Sequence, residues 1–352
     1  MFFELTGETE ESCQVLSIVI PVFNAEKYLP DCLNDILAAS IPDAELLLID
    51  DGSTDGSLEI CQRYGAVFPN IRVLSQPNHG PSAVRNRGLD ESKGTYIAFL
   101  DADDRIDPVA FQKTVLMLED YDAQVWLSDF HRIAANGCIL DKVYQIEETV
   151  QPITDPAYME HFLSDGERVW NVWRYIFRRD FLLENGLRFI EGVNCAEDVE
   201  FVVRALTLAK RPAFFHNPYY FYRAHYGDTL TRQYTFQRIE QLMQMLCLSA
   251  GHLCLLDSAC SRLLTDKLVK EYLLNLALCC EVPGQEREKA FAACMEAKPL
   301  LRLACNGKLR LISRLVSALG IKLSAWLLYG MKKIKRGIRH QKIKNYDRRA
   351  AD

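Results

Sequence analysis

The chain has 352 residues, 49% of them apolar and 25% charged. This is an ordinary globular composition, long enough for one large domain or two smaller ones. The net charge of −6 hides a split: fifteen of the 41 Lys and Arg and two of the 47 acids lie from Lys298 onward, so the first 297 residues carry −19 and the last 55 carry +13. The N-terminal MFFELTGETEESCQ is acidic and has no long apolar run, which argues against a signal peptide, and the twelve cysteines show no C-x-x-C pair, so reduced cytoplasmic thiols are expected.

Leu16 to Ile20 reads as a buried strand, followed by a helix from about Glu26 to Ala39. Leu46 to Ile49 is the second strand, followed by a helix over Ser57 to Tyr64; Ile71 to Leu74 is the third, followed by a helix over Ser82 to Glu91; Tyr96 to Leu100 is the fourth. Runs that are apolar throughout and separated by helices predict a mostly parallel α/β sheet covered on both faces. An aromatic, turn-rich stretch follows from Trp126 to Arg223, and from Gln237 to about Cys280 Leu and Met recur at helical spacing.

Each early strand ends in polar or turn residues: PVFN, DDGSTDGS, SQPNHGPS and DADD. Ligands of open parallel sheets bind outside the carboxyl ends of the strands, so these four segments should converge on one crevice. In DADD, Asp101, Asp103 and Asp104 fall within four residues. Such carboxylates repel unless a cation sits among them, and Mg²⁺ or Mn²⁺ takes one or two carboxylates and completes its shell with phosphate and water. The alternative use of Asp103 or Asp104 is to cap a helix beginning near Pro108.

LSIVIPVFNAEKYL, LLLIDDGSTDGS, QPNHGPSAVRNRGL, GTYIAFLDADD and AEDVEF follow one another in the order and spacing of family 2 glycosyltransferases. Over residues 16 to about 226 the chain resembles that family, and within it the bacterial enzymes that build capsular, exopolysaccharide and lipopolysaccharide sugars. The resemblance implies a GT-A fold, α/β and Rossmann-like; the Leu and Met spacing from Gln237 adds a C-terminal helical region. The resemblance also implies inverting transfer from a nucleotide-sugar, usually a UDP-sugar, to a saccharide or lipid-linked acceptor, with Mn²⁺ or Mg²⁺ as cofactor. Pro21, Phe23 and Glu26 would line the nucleoside pocket, Asp51 would meet the base, Arg85 the diphosphate, Asp101 the ribose and Asp103 the metal. Asp198 would be the base and Glu197 would orient acceptor or donor; the same two acids also suit the start of a helix over Val199 to Ala209. Trp173 would stack on an acceptor sugar or pack in the core, and Arg174 stands where many relatives carry Asn-Lys after the tryptophan. Tyr222, Arg223 and His225 would close over the diphosphate, with His225 within reach of the metal.

A sugar nucleotidyltransferase would carry a Gly-rich loop where PVFNAEKY stands, and a processive synthase would carry Q-x-x-R-W and several membrane helices. A catalytically inactive homologue acting as a binding partner is the remaining alternative, against which Asp51, Asp101, Asp103 and Asp198 argue. The expected division is a catalytic domain over 1–230, a helical region over 231–300 and a basic amphipathic tail over 301–352. Projected as one helix, the tail puts Ile312, Leu315, Leu319, Leu323 and Trp326 on one side and Arg310, Arg314, Lys332, Lys335 and Arg339 on the other. Arg314 and Lys322 interrupt the apolar stretch, and burying either at a bilayer centre costs about 2.5–3.5 kcal/mol. An interfacial helix on an anionic membrane surface avoids that cost, as does packing against the acidic body. A cytoplasmic protein, peripheral on the inner face of the membrane and without a nucleic-acid partner, is the resulting expectation.

Overall fold

Buried apolar runs become the central strands. In the computed structural model, which describes residues 14–134, 137–143, 151–155, 157–164, 169–193, 195–223 and 234–334, β1 (Leu16–Val22), β2 (Ala44–Asp50), β3 (Ile71–Ser75) and β4 (Tyr96–Phe99) run parallel in the order β3-β2-β1-β4. All of β2 and β4 is buried, as strands covered on both faces by crossover helices must be. The helices are α1 (Leu29–Ala38), α2 (Ser57–Val67) and α3 (Pro81–Glu91). Helix α3 approaches β1 so closely that a Cβ on Gly88 would lie 2.3 Å from a methyl of Val19. Glu45 is one of the acids buried in this sheet. It accepts from the Ser17 hydroxyl and the Lys93 amide, both at 2.6 Å, and pairs with Arg72 at 3.2 Å.

Helix α1 begins three residues later than its periodicity suggests, because residues 24–26 hydrogen-bond to the loop after β2 instead. The helix at Pro108, α4 (Pro108–Leu116), follows the short strand β5 (Arg105–Ile106). Its cap is Asp107, which accepts from the Ala110 amide at 2.9 Å. Neither Asp103 nor Asp104 serves as that cap.

The aromatic middle region supplies the rest of the sheet. It contains β6 (Val125–Ile133), β7 (Ile139–Val143), α5 (Tyr158–Ser164), β8 (Tyr175–Arg178), α6 (Arg179–Glu184), α7 (Glu197–Leu208) and β9 (Pro212–Arg223). The order continues β4-β8-β6-β9-β5, with β7 on β6. Strand β8 is antiparallel to both neighbours, while β6 and β9 are parallel. The sheet is therefore parallel in its first half and mixed in its second. Between Ser128↔Phe215 and Phe130↔Tyr220 the register slips, leaving a bulge in β9 that contains Pro218, a residue unable to donate to a ladder.

Contacts divide the chain into two units. The first comprises 1–158, 171–192 and 208–224; the second comprises 159–170, 193–207 and 225–352. Two internal segments thus belong with the C-terminal helices, which no single boundary at 230 anticipates. The second unit contains α8 (Phe236–Leu253), capped by Thr235, and α9 (Ala259–Leu278), whose Ser258 and Ser261 form a reciprocal capping box. Next come α10 (Glu286–Glu296), α11 (Gly307–Leu319) and a further helix, α12, over 321–334. Buried Asp266 fixes the turn into α11 by accepting from the amides of Cys305 and Asn306. The tail is two helices rather than one, because Gly320 takes φ +80° and ends α11. Among the described residues no helix is long and apolar enough to cross a membrane. Lys335 and Arg339 lie outside the described residues.

Candidate active site

Two loops lock together at the carboxyl ends of β1 and β2. Asn24 sits in the left-handed region at φ +49°, a conformation Asn tolerates better than most residues. Its side-chain oxygen accepts from the Thr54 amide (2.8 Å) and hydroxyl (3.2 Å). Its own amide donates to Ser53 at 3.1 Å. The Glu26 carboxylate accepts from the Gly56 amide at 3.0 Å, and the Glu26 amide donates to Asp55 at 3.1 Å. The Ala25 amide donates to Ser57, whose hydroxyl donates in turn to Asp55. Burial pushes the Asp55 carboxyl up, but the Ser57 hydroxyl and nearby amides outweigh it and hold the pKa below the usual carboxylate range. Pro21 lies in β1 beside Ile49, and Phe23 stands 46% exposed at the loop's tip.

Asp51 anchors the next loop. One of its oxygens accepts from the Gln76 amide group (2.9 Å) and the His79 backbone (3.0 Å), the other from the Gly80 backbone (2.8 Å). Gly80 has φ +85° and precedes α3, so the turn needs its missing Cβ. Asp50 braces the neighbouring turn by accepting from Gly52 and Ser53. The carboxylate of Asp51 is thus largely engaged within the protein. Three of its roughly four lone-pair sites are taken.

The D-x-D turn joins β4 to β5. Asp101 accepts from the buried Arg85 guanidinium at 3.1 Å, and that guanidinium lies 5.4 Å over the Phe189 ring. Asp104 is buried, accepting from the Tyr220 hydroxyl and the Arg223 amide, both at 2.6 Å. Burial, then the charges of Asp103 and Asp101, push its carboxyl well above the usual range. Arg223 also donates to the Asp103 backbone oxygen at 2.8 Å and stacks 4.7 Å over Tyr28. Asp103, half-buried, is therefore held by its main chain beside two acids and two arginines. No group of three or more metal-ligating side chains occurs among the described residues. The hard-oxygen donors of the turn suit Mg²⁺ or Mn²⁺ that shares its shell with a diphosphate, not an all-protein cage.

Other residues singled out in the sequence have different surroundings. Trp173 belongs to the buried core, 3% exposed, stacked on Tyr220 (4.2 Å) and Tyr222 (5.6 Å). That packing corresponds to the core alternative for this residue. Arg174 points inward, where Asp129 (3.5 Å), the Ser128 carbonyl (3.1 Å) and the Phe130 ring surround it. It does not stand in for an exposed lysine. Asp129 also accepts from His216 at 2.7 Å, and His216 contacts Tyr158 at 3.1 Å. This interior network fills the bulged part of β9. His225 lies outside the described residues.

Glu197 and Asp198 belong to the second unit and open α7, both half-buried, after Ala196 at φ +65°. Their place in the first turn is electrostatically favourable. One turn on, buried Glu200 pairs with Arg204 at 2.5 Å and with His252 at 3.3 Å. At the carboxyl edge of the first unit, Asn24, Asp55, Phe189 and Tyr220 take part without having been read from the sequence. Asn24 carried a signal, since an Asn just past a buried strand is a left-handed turn candidate; Tyr220 lies 119 positions from Asp101 and carried none. A cleft of about 600 Å³ lined by Gln76, His79, Asn86, Arg87, Arg188 and Glu191 belongs to the other face of α3 from Arg85.

A 3-2-1-4 parallel half-sheet extended by mixed strands, with interlocked loops and an acidic turn at its carboxyl edge, defines the GT-A class. The model of glycosyl transferase family 2 matches residues 17–197, and the chain belongs to that family. It is 31% identical over 214 residues to "Uncharacterized glycosyltransferase EpsJ" of Bacillus subtilis, a match covering 59% of this chain and 61% of that one. It is 29% identical over 212 residues to the poly(ribitol-phosphate) beta-glucosyltransferase of Bacillus spizizenii, covering 59% of this chain and 32% of the other. The chain thus spans about three fifths of the first relative's length. Among solved structures, S. aureus TarS 1–349 in complex with UDP-GlcNAc superposes with a TM-score of 0.71 over 92% of each chain at 20% identity, which establishes the fold.

Proposed function

We propose that the chain is an inverting glycosyltransferase. It moves a sugar from a nucleotide-sugar, first of all a UDP-sugar, to a hydroxyl of a saccharide or lipid-linked acceptor in cell-surface polysaccharide synthesis, on the cytoplasmic side. The observation that carries this reading is the Arg85–Asp101 pair beside the Asp51-anchored loop and the held Asp103. The UDP-GlcNAc bound to TarS and the polyol-phosphate acceptor in the name of the Bacillus relative support the substrate classes.

In this reading Pro21, Phe23 and Glu26 line the nucleoside pocket, with the exposed Phe23 ring offering an apolar face. Asp51 uses its remaining lone pair for the base. Asp101 meets the ribose, and Arg85 binds the diphosphate while donating to Asp101. Asp103 would hold the divalent cation, which when bound neutralises charge growing on the leaving diphosphate. The acceptor oxygen attacks the anomeric carbon as the carbon–oxygen bond to the diphosphate breaks. Asp198 takes the acceptor proton and Glu197 orients the hydroxyl. A UDP-release assay over a panel of UDP-sugars, with and without acceptor and with excess EDTA, tests the proposal. Acceptor-stimulated, EDTA-sensitive release is expected. Full turnover in EDTA would remove the metal role, and no release from any nucleotide-sugar would overturn the reading.

A further inference from the structure

We propose that α11 and α12 form a docking face for an anionic lipid surface. Surface helices normally turn leucines inward and serines outward. Here Leu309 and Val316 of α11 and Ile321 of α12 do turn inward, but further large apolar side chains turn outward. Helix α11 buries Ser313 and exposes Leu311 (59%), Leu315 (52%) and Leu319 (46%). Helix α12 buries Ser324 and Ala325 while exposing Leu323 (51%), Trp326 (48%), Leu327 (51%), Met331 (54%) and Ile334 (64%). At 100° per residue the α11 leucines span about 80° and the α12 group about 140°. On α12 the stripe lies roughly opposite the buried Ile321, Ser324 and Ala325; on α11 it lies to one side of the buried Leu309, Ser313 and Val316, with Arg310, Arg314 and Ser317 on the other side.

The charge around the stripes selects the occupant. From Lys298 to Ile334 there are eight Lys and Arg and no Asp or Glu. Arg310 and Arg314 border the α11 stripe, and Lys322 and Lys333 border that of α12. The Arg310 side chain is turned to the Cys305 carbonyl at 2.9 Å, and Lys322 pairs with Glu288 at 2.5 Å. The first 297 residues carry −19, so the chain's net positive charge lies at this end. A second copy docked through the same face would set like-charged borders against one another. A bilayer of anionic lipid accepts both parts: leucines and Trp326 enter the headgroup boundary, where indole rings favour the interface, and the cations meet headgroups. No described helix is suited to crossing the bilayer, so the face lies on it.

The test is flotation of the full chain with vesicles of phosphatidylcholine containing about 40% phosphatidylglycerol, against vesicles of phosphatidylcholine alone. Binding to the anionic vesicles only, lost in about 0.5 M NaCl, is expected. L323E/L327E and R314E/K333E should each lower the partition coefficient at least about tenfold. These positions are exposed, and unchanged thermal melting confirms that the fold survives. Equal flotation of wild type and both variants overturns the proposal. So does absence of vesicle binding together with a dimer in analytical ultracentrifugation that L323E/L327E dissolves. Neither readout uses turnover, so their failure leaves the transferase reading standing.

Discussion

The carboxyl edge of the first unit and the outer face of α11 and α12 break the same rule in opposite directions. At the edge, Asp50, Asp51, Arg85 and Asp104 are buried polar groups; on the two helices, eight large apolar side chains face outward. Buried polar groups and exposed apolar patches are the informative departures in a globular protein. The edge resolves its departure within the chain, since Asp51, Asp55, Asp101 and Asp104 each have hydrogen-bond donors inside the fold. The helices present apolar area that stays about half exposed, with Arg287 and other α10 side chains beside it. A preassembled polar edge suits binding and turnover of a small charged ligand without reorganisation. A half-exposed apolar face suits association with something larger.

This difference is sharpened first by substitutions at the acids. Asp198→Asn keeps size and hydrogen bonding but cannot take a proton, so kcat should fall about 10²–10⁴-fold with donor affinity retained. Asp103→Ala should lower turnover by about 10²–10³-fold, the worth of several kcal/mol of charge stabilisation. Both should leave thermal melting within about 1 °C of wild type, since surface or half-buried changes outside special features usually stay within ±0.5 kcal/mol. Steady-state UDP release with matched melting curves checks both. An Asp198→Asn enzyme within a few-fold of wild type would return that residue to a structural role at the start of α7.

Asp104 should behave in the opposite way. Its carboxylate satisfies the Tyr220 hydroxyl and the Arg223 amide in the interior. Asp104→Ala strands two buried donors at about 1–3 kcal/mol each, so a loss of about 3 kcal/mol in denaturant unfolding is expected. Asp107→Ala, which removes only the α4 cap, should cost about 1 kcal/mol. Equal effects at the two positions would mean that the interior role of Asp104 is misjudged.

The first half of the sheet was legible because each strand is a local apolar run and each crossover a local helix. The four loop segments could be assigned to one edge by topology alone. Local pattern failed where partners are distant in sequence. The tie from Asp104 to Tyr220 spans 116 positions, and Arg174 was read only against the Asn-Lys of relatives because nothing nearby in sequence reveals its partner Asp129. The start of α1 was misread because helical periodicity does not register that the preceding residues are claimed by Thr54 and Gly56. The tail was read as one helix because propensity treats Gly320 as a weak residue, whereas its positive φ makes it a stop.

The smallest expected effect is the most direct probe of the comparison. Leu48 in β2 is fully buried and Leu323 in α12 is 51% exposed. Truncating the first removes packed methyls and leaves a cavity, at about 2–5 kcal/mol. Truncating the second removes area that water already reaches, so folding stability should move by no more than about 0.5 kcal/mol. Alanine is also the better helix former, which offsets what contact is lost. Chemical denaturation of Leu48→Ala and Leu323→Ala, fitted with a common slope, measures both. If Leu323→Ala were instead to cost more than about 1.5 kcal/mol, the outward leucine would be holding the helix against the chain itself. The face on α11 and α12 would then be part of the fold's own packing and not a surface kept for a partner.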